Sequence, residues 1–380
     1  MLNTKLNLNK KVFDNNVELV SMRAGFGEGI MKAAKIDRNI VALCADLTES
    51  LQLDKFKKKY PDRFIEIGVA EQNLVTVASG MAASGKIPFV GSYAVFSPGR
   101  NWEQIRTTVC YNNLPVKIIG SHAGITVGPD GGSHQALEDI ALMRTLPRMV
   151  VISPCDAIEA RKATEAAAKT TNPTYIRLAR DKTPLITTDD TPFEIGKAQI
   201  VFNSARLGVI SEQQRRMKGT CERDWREHEE FPSKEISVPL NPSLLRSTTP
   251  TIKASHQCDV GIIATGPSLY RALKVAKKLG EEGKAVQVMN LSTIKPLDEI
   301  AVVAIARECG AIVTVEDHQV AGGMGSAIAE CLAKHFPVHM EFIGIHDQFG
   351  QSGTPIELTD HYKMNEKDIH RAAQRAMLRK

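Results

Sequence analysis

The segment IEIGVAEQNLVTVASGMAASG (residues 65–85) carries the local pattern on which the fold depends. It begins as a short apolar strand and continues as a helix over residues 71–84, with Glu71 near the helix start. A second helix is predicted over residues 156–169, with Asp156 as its N-cap. Apolar strands recur around these helices: NIVALCADL (39–47), PFVGSYAVF (88–96), VKIIGSHAG (116–124) and MVVISPCD (149–156). Strands separated by segments of helical length predict parallel βαβ units.

The same alternation resumes near Asp259. Strands are predicted over 259–266, 285–291 and 311–317, with helices over 268–280, from about 298, and over 325–335. The sequence therefore predicts an α/β fold with two parallel-sheet domains, at residues 1–190 and 259–380. Between them, residues 191–258 are predicted to be a linker with an atypical polar insertion, which includes SEQQRRMKGTCERDWREHEEFPSKE (211–235).

Composition narrows the functional classes. The 380 residues are 43% hydrophobic and 24% charged, which suits two globular domains. Their 48 basic and 43 acidic residues are spread along the chain, without the basic stripe that nucleic acid requires.

The seven cysteines form no CxxC pair, so we expect reduced thiols and neither a disulfide framework nor a metal site. No apolar run reaches the roughly 18 residues of a membrane span and the N-terminus lacks a signal-like apolar region, so we expect a cytoplasmic protein.

Two segments contain candidate functional residues. Glu71 alone is typical of a first-turn carboxylate that complements the helix dipole. The segment DGGSHQALED (130–139) alone is typical of a turn before a helix, and an isolated His134 is more often a surface or core histidine than a catalytic one. Each feature by itself is weak evidence for a function.

Taken together, three motifs in this order make the sequence resemble the transketolase family over nearly its full length. The family's G-x-x-E-[QH] motif is matched by Gly68, Glu71 and Gln72. Its aromatic cluster is matched by SYAVF (92–96), and its H-x-G-I-x-V-G-x-D-G-x-[ST]-H-Q motif by HAGITVGPDGGSHQ (122–135).

The resemblance implies thiamine diphosphate as the cofactor. In the family, the glutamate matched by Glu71 meets N1′ of the thiamine aminopyrimidine. Activation of thiamine requires a proton at N1′, and a buried carboxyl group can share that proton because burial favours its neutral form. Tyr93 and Phe96 match the aromatic slot that excludes water from the pyrimidine, although ordinary strand core would also use these residue types. Asp46 matches a carboxylate close to the cofactor.

The resemblance also implies a sugar-phosphate substrate. Arginine offers a planar, permanently charged fork for a phosphate, although a single arginine more often forms a surface salt bridge. His134 is also expected to assist proton transfer. The positions that match the family's contacts are Arg23, Ser50, His122 and Arg180 for the phosphate end, and Asp130 and His134 for the ketose hydroxyls.

The family's diphosphate-binding G-D-G motif, followed by an asparagine, is missing from these residues. In the family this motif holds the phosphates with Mg²⁺ or a similar divalent metal, and the cofactor lies between one unit that holds the phosphates and another that receives the pyrimidine. We therefore expect the C-terminal subunit of a split transketolase. Its partner would be an N-terminal subunit carrying G-D-G and the metal, and two copies of each would form a heterotetramer. The expected reaction, transfer of a two-carbon ketol unit from a ketose phosphate to an aldose phosphate, belongs to the pentose phosphate pathway.

Three alternatives remain open. Deoxyxylulose-phosphate synthase has a similar DGxTHQ block, but it normally keeps both halves on one chain. The beta subunits of 2-oxo acid dehydrogenases are separate chains with the same glutamate, but they lack the D-G-x-[ST]-H-Q block. A non-catalytic partner of another thiamine enzyme would be expected to have lost Glu71 or the pair Asp130 and His134.

The second domain contains a glycine-rich turn formed by Gly322, Gly323 and Gly325. We interpret it as a tight turn in preference to an anion-binding site.

Overall fold

The computed structural model describes residues 1–204 and 257–380. The strands in these two segments are β1 (Leu19–Ser21), β2 (Ile40–Cys44), β3 (Phe64–Glu66), β4 (Ile87–Tyr93), β5 (Lys117–Ala123), β6 (Val150–Ile152), β7 (Thr174–Ala179), β8 (Lys182–Pro184), β9 (Gln199–Asn203), β10 (Val260–Ala264), β11 (Val286–Asn290), β12 (Thr293–Lys295), β13 (Ala311–Gln319) and β14 (His339–Ile345). The helices are α1 (Met22–Ile36), α2 (Asp54–Lys59), α3 (Glu71–Ala83), α4 (Trp102–Gln104), α5 (Asp139–Arg144), α6 (Ala157–Ala168), α7 (Ser268–Glu281), α8 (Glu299–Cys309), α9 (Met324–His335), α10 (Pro355–His361) and α11 (Glu366–Leu378).

The first sheet has the strand order β12-β6-β7-β5-β4-β2-β3 in the described structure. All neighbouring pairs are parallel except β12 with β6. Every residue of β2 and β5 is buried, which explains why β2 appears in the sequence as a continuous apolar run and why neither strand alternates between apolar and polar residues. The prediction of a parallel α/β domain here is confirmed.

Helices α1 and α6 pack against each other on one face of this sheet through glycines. A Cβ atom added at Gly25 would lie 1.9 Å from the carbonyl oxygen of Ala157, and one added at Gly29 would lie 2.7 Å from that of Arg161. Only glycine permits this approach of two helix backbones. As predicted, Asp156 caps α6 by accepting a hydrogen bond from the Glu159 amide.

The second sheet has the order β14-β13-β10-β11-β9 in the described residues. Its neighbours are parallel except β9, which runs antiparallel to β11. Apolar side chains of α7 and α11 pack on one face, and those of α8 and α9 pack on the other. The second predicted α/β domain is therefore also confirmed.

Segments cross between the two sheets. Strand β12 lies in the sequence of the second domain but pairs with β6 of the first sheet, and β9 completes the second sheet. The N-terminus also packs on the second domain, where Leu2 forms a bridge with Phe202. The predicted boundaries at residues 190 and 259 remain a prediction, and most of the predicted linker with its insertion, residues 191–258, lies outside the described residues.

The glycine-rich turn of the second domain is closed by a side chain of the protein itself. The carboxylate of Glu316 accepts hydrogen bonds from the amides of Met324 and Gly325, at 2.6 and 2.8 Å. These amides at the start of α9 are therefore already paired with an internal carboxyl group, as the interpretation of a tight turn requires.

The cysteines in the described residues are buried and unpaired, and Cys221 lies outside them. No helix within residues 1–204 and 257–380 is both long and apolar enough to span a membrane.

Candidate active site

Glu71 begins α3 and is buried although it carries a carboxylate. Glu71 is only 4% exposed, and its Oε2 accepts a hydrogen bond from Arg100 Nη1 at 3.1 Å. The Asn101 side chain donates to the Glu71 carbonyl oxygen at 2.9 Å and to Ser97 Oγ at 3.0 Å, which fixes the first turn of the helix. The carboxyl group is therefore held at the carboxyl end of the sheet, after β3.

Four rings form a contiguous cluster near this end of the sheet. Tyr93 stacks on His122 with ring centroids 3.9 Å apart and lies nearly parallel to Phe96 at 6.3 Å. His134 meets the Phe96 ring edge-on at 5.4 Å. The Arg100 guanidinium lies 4.2 Å from the centroid of the Phe96 ring, so Arg100 joins the aromatic cluster to Glu71.

His122 is buried at the end of β5 in a left-handed backbone conformation, with φ of 55°. Burial, together with the nearby charges of Arg23 and Arg180, lowers the pKa of its imidazole to about 3. The ring is therefore neutral at physiological pH. Its Nδ1 lies 2.7 Å from Ser121 Oγ, which leaves Nε2 to serve a ligand.

Arg23, Ser50 and Arg180 lie together. Arg23 Nη1 donates to the Ser50 carbonyl oxygen at 2.8 Å, and its Nη2 donates to the Arg180 carbonyl oxygen at 3.0 Å. Arg180 in turn donates to the Val127 carbonyl oxygen at 2.9 Å. In the described part of the chain neither guanidinium forms a salt bridge, and Arg23 Nε is buried without a hydrogen-bond partner. Two cations thus lie side by side with no carboxylate ion-paired to either.

Asp46 and Asp130 are both exposed. Asp46 follows β2 in a left-handed conformation, with φ of 58°. Asp130 ends a 3-10 helix that begins at Ile125, and His134 follows it with Nδ1 2.9 Å from Ser133 Oγ. Among residues 1–204 and 257–380, no side-chain contact joins either aspartate to the other predicted site residues.

The second domain holds the loop that carries Asp130 and His134. Asp317 Oδ1 accepts a hydrogen bond from the Ile125 amide at 3.0 Å, and Gln135 donates to the Gln351 carbonyl oxygen at 3.0 Å. A Cβ atom added at Gly132 would lie 2.4 Å from the Gly350 carbonyl oxygen. The second domain therefore supports the site directly, a contribution that the sequence analysis did not include.

Sequence analysis also missed Arg100 and Asn101, the two side chains that hold Glu71. A local signal for Arg100 is present, because it follows Phe96 by four residues and its amide bonds to the Phe96 carbonyl oxygen at 2.8 Å. This spacing places both side chains on one side of a helical turn. Asn101 likewise follows its partner Ser97 by four residues, but its bond to the Glu71 carbonyl oxygen spans thirty residues and has no local signal.

Comparisons with known proteins agree with this architecture. Residues 18–185 match the family model described as transketolase, pyrimidine binding domain, and residues 251–369 match transketolase, C-terminal domain. A protein of Methanocaldococcus jannaschii named as a transketolase C-terminal section is 36% identical over 92% of this chain and 93% of its own length. The 6-deoxy-6-sulfo-D-fructose transketolase subunit SqwH of a Clostridium species is 34% identical over 97% of this chain and 98% of its own. A solved structure titled split gene transketolase, inactive beta4 tetramer, superposes with a TM-score of 0.75 at 35% identity and covers 95% of this chain and 99% of that one.

The fold and these matches define a two-domain α/β subunit of the thiamine-dependent class. The chain belongs to the transketolase family. Both of its α/β domains match domains of that family, and its relatives support a transketolase-like enzyme subunit.

Proposed function

We propose that this chain is the pyrimidine-binding subunit of a two-subunit transketolase. It would transfer a two-carbon ketol unit from a ketose phosphate to an aldose phosphate, together with a separate subunit that binds the cofactor's diphosphate. The observation that carries the proposal is the burial of Glu71, 4% exposed, at the end of a parallel sheet and linked through Arg100 to an aromatic cluster.

The residues present fit the aminopyrimidine of thiamine diphosphate. When bound, this cofactor supplies the carbon nucleophile of the reaction. Glu71 would hold a proton at N1′, since a buried carboxyl group can share a proton with a ring nitrogen. Tyr93 and Phe96 would bury the pyrimidine face and exclude water, and Asp46 is proposed to lie close to the cofactor on the neighbouring loop.

The two unpaired arginines support a phosphate-binding role. Arg23 and Arg180 would bind the terminal phosphate of the sugar, together with Ser50 and the neutral His122. The local chemistry favours this role over the surface salt bridge that each arginine would form by default, because neither forms a salt bridge in the described structure, although the charge of Asp181 acts on Arg23 from beyond salt-bridge distance.

His134 and Asp130 are proposed to bond the ketose hydroxyls near the bond that breaks. His134 could also move a proton there, because it lies at the edge of Phe96 beside the proposed pyrimidine slot.

The proposal requires a partner. The 380 residues contain no G-D-G motif, and a relative's solved structure is described as an inactive beta4 tetramer of a split-gene transketolase. We infer that a second subunit carries G-D-G, an asparagine and Mg²⁺ or a similar divalent metal, and that two copies of each subunit form a cytoplasmic heterotetramer acting in the pentose phosphate pathway.

The test is reconstitution. The chain is mixed with a subunit that carries G-D-G, and activity is measured with xylulose 5-phosphate and ribose 5-phosphate. We expect transfer by the mixture and none by either subunit alone. Transfer from pyruvate but not from xylulose 5-phosphate would contradict the proposal, and so would tight binding of thiamine diphosphate to this chain alone in calorimetry.

A further inference from the structure

Glu66, the last residue of β3, accepts hydrogen bonds from two loops. Its Oε1 accepts from the Asp46 amide at 2.7 Å and from the Gly68 amide at 3.0 Å. Its Oε2 accepts from Thr48 Oγ1 at 3.3 Å. One exposed carboxylate therefore joins the loop after β2 to the loop after β3.

These two loops carry residues of the proposed site. The first contains Asp46 and Ser50, and the second leads directly into Glu71. Because β2 and β3 are parallel neighbours, both loops leave the carboxyl edge of the sheet, where ligands bind in open α/β sheets. Glu66 itself has no recorded contact with the aromatic rings or the arginines in the described structure.

Both loops have backbone conformations that need support. Asp46 has φ of 58° and Gly68 has φ of 78°. The left-handed conformation costs most residues with a side chain roughly 1–2 kcal/mol, and aspartate tolerates it better than most, so a modest compensation suffices for Asp46. The charged hydrogen bond from the Asp46 amide to Glu66 is such a compensation.

We propose that Glu66 is a positioning residue that holds the loop of Asp46 and Ser50 in register with the helix start at Glu71. The inference rests on the proposed function for its effect on catalysis. It acts through the backbone of the two loops and not through contact with substrate or cofactor. Misplacement of reacting groups by about 1 Å can reduce a rate on the order of 100-fold, so such a residue has measurable kinetic consequences.

The hydrogen-bond geometry of Glu66 predicts different effects for different substitutions at this position. Both backbone amides share one oxygen, so Glu66→Gln keeps them on its amide oxygen, and its Nε2 can donate to Thr48 Oγ1. Glu66→Ala removes all three bonds, and Glu66→Asp is one methylene too short to reach both loops. Asp62→Ala is the matched control, because it removes an exposed carboxylate four residues earlier that makes no recorded hydrogen bond or ion pair among the described residues.

The experiment compares these variants in two ways. In the reconstituted complex, we expect kcat/KM to fall on the order of 10- to 100-fold in Glu66→Ala and Glu66→Asp, and to stay within about 3-fold of wild type in Glu66→Gln and Asp62→Ala. Hydrogen exchange of peptides that contain the Asp46 and Gly68 amides should be faster in Glu66→Ala than in Glu66→Gln, with unchanged exchange elsewhere.

Equal kcat/KM in wild type and Glu66→Ala, or equal losses in the alanine and glutamine variants, would overturn the inference. A wild-type complex without transfer activity would instead contradict the proposed function. The exchange comparison would then decide by itself whether Glu66 orders the two loops, because equal exchange in the alanine and glutamine variants would refute it.

Discussion

At the scale of single residues, the main free-energy cost at the site is the burial of the Glu71 carboxyl group. Its removal from water is unfavourable unless the charge is paired or a proton is bound. The charged neighbour recorded for it in the described structure is Arg100, whose side chain is 52% exposed, so pairing compensates only part of this cost. A buried carboxylate whose burial is only partly compensated is therefore a candidate for function and not for stability.

Glu71→Gln tests this directly. Glutamine has the same size and keeps an oxygen that can accept the hydrogen bond from Arg100. It cannot exchange a proton with N1′ of the pyrimidine. We expect kcat to fall on the order of 100- to 10,000-fold in the reconstituted complex, with little change in the melting temperature of the subunit. Glu103→Gln, at an exposed glutamate, is the control. Full turnover by Glu71→Gln would remove this residue from the mechanism.

Arg180→Ala tests the proposed phosphate site. Loss of one charged fork should raise KM for phosphorylated aldoses on the order of 10- to 100-fold and leave KM for unphosphorylated aldoses within about 2-fold. Arg38→Ala removes an exposed arginine elsewhere and should change neither value. Equal effects of Arg180→Ala on both kinds of aldose would argue against a phosphate role.

Sequence reasoning predicted candidate site residues where family motifs place particular residue types at particular spacings. It did not identify Arg100, Asn101 or Glu66, which act on the backbone or side chain of another site residue. Their contacts with Glu71 and Asp46 span 20 to 30 residues and are set by how the loops meet in three dimensions, and a single sequence carries no spacing rule for such contacts. The roles of the predicted residues themselves remain to be tested by the substitutions above.

At the scale of elements, helices α1 and α6 illustrate how one residue type can control packing. The carbonyl oxygen of Ala157 lies so near Gly25 that no side chain fits between the helices. By contrast, Gly80 in α3 is exposed and has no atom within 4 Å of an added Cβ. The same residue type thus serves close packing at one position and has no such role at the other.

Two Gly→Ala substitutions should therefore have opposite effects on the free energy of unfolding. Gly25→Ala forces α1 away from α6 and should lower it by about 1–3 kcal/mol or more. Gly80→Ala should raise it by about 0.5–1 kcal/mol, because alanine loses less conformational entropy in a helix. Urea denaturation of both variants checks this. A neutral Gly25→Ala would mean that the helices are not packed as described.

The elements most accurately predicted were those with strong local patterns. Strand β2 is a continuous apolar run, β4 and β5 have apolar centres, and α6 has a capping aspartate. Strand β12 was not predicted, since it has three residues and is defined by pairing with β6 from another part of the chain. Edge strands of this kind depend on tertiary contacts, which local periodicity does not contain.

At the scale of the whole molecule, buried polar groups join the two α/β domains. Glu159 of α6 accepts hydrogen bonds from Asn290 Nδ2 at 2.8 Å and from the Cys155 amide at 2.6 Å. Burial, together with the nearby charge of Asp156, raises the pKa of the Glu159 carboxyl group to about 7. If the side-chain amide of Asn290 flips, a protonated Glu159 can donate a hydrogen bond to Asn290 Oδ1. This oxygen has no hydrogen-bond partner in the described residues.

The stability of the chain should depend on pH through Glu159. Between its ordinary pKa of 4.5 and the folded value of about 7, the folded state binds a proton that the unfolded state does not. The contribution of Glu159 to the free energy of unfolding therefore falls as pH rises through this window, on the order of 1–3 kcal/mol in all.

Glu159→Gln should remove this contribution, which urea denaturation at several pH values can measure as a difference in slope from wild type. His318, whose pKa burial lowers to about 4, contributes in the opposite direction, so the comparison must be made between variants and not from wild type alone. The exposed Glu194→Gln serves as the control. Identical slopes for Glu159→Gln and wild type would show that Glu159 is ionised in the folded state.

The exchange of edge strands also limits how this family member can be rearranged. Strand β12 belongs in sequence to the second domain but forms an edge of the first sheet. A chimera that took only the second domain from a relative would replace that edge as well, and its side chains would have to suit the host's β6. Recombination at the apparent domain boundary is therefore not neutral, and gene fission of this chain between its two domains would leave each product with an exposed strand.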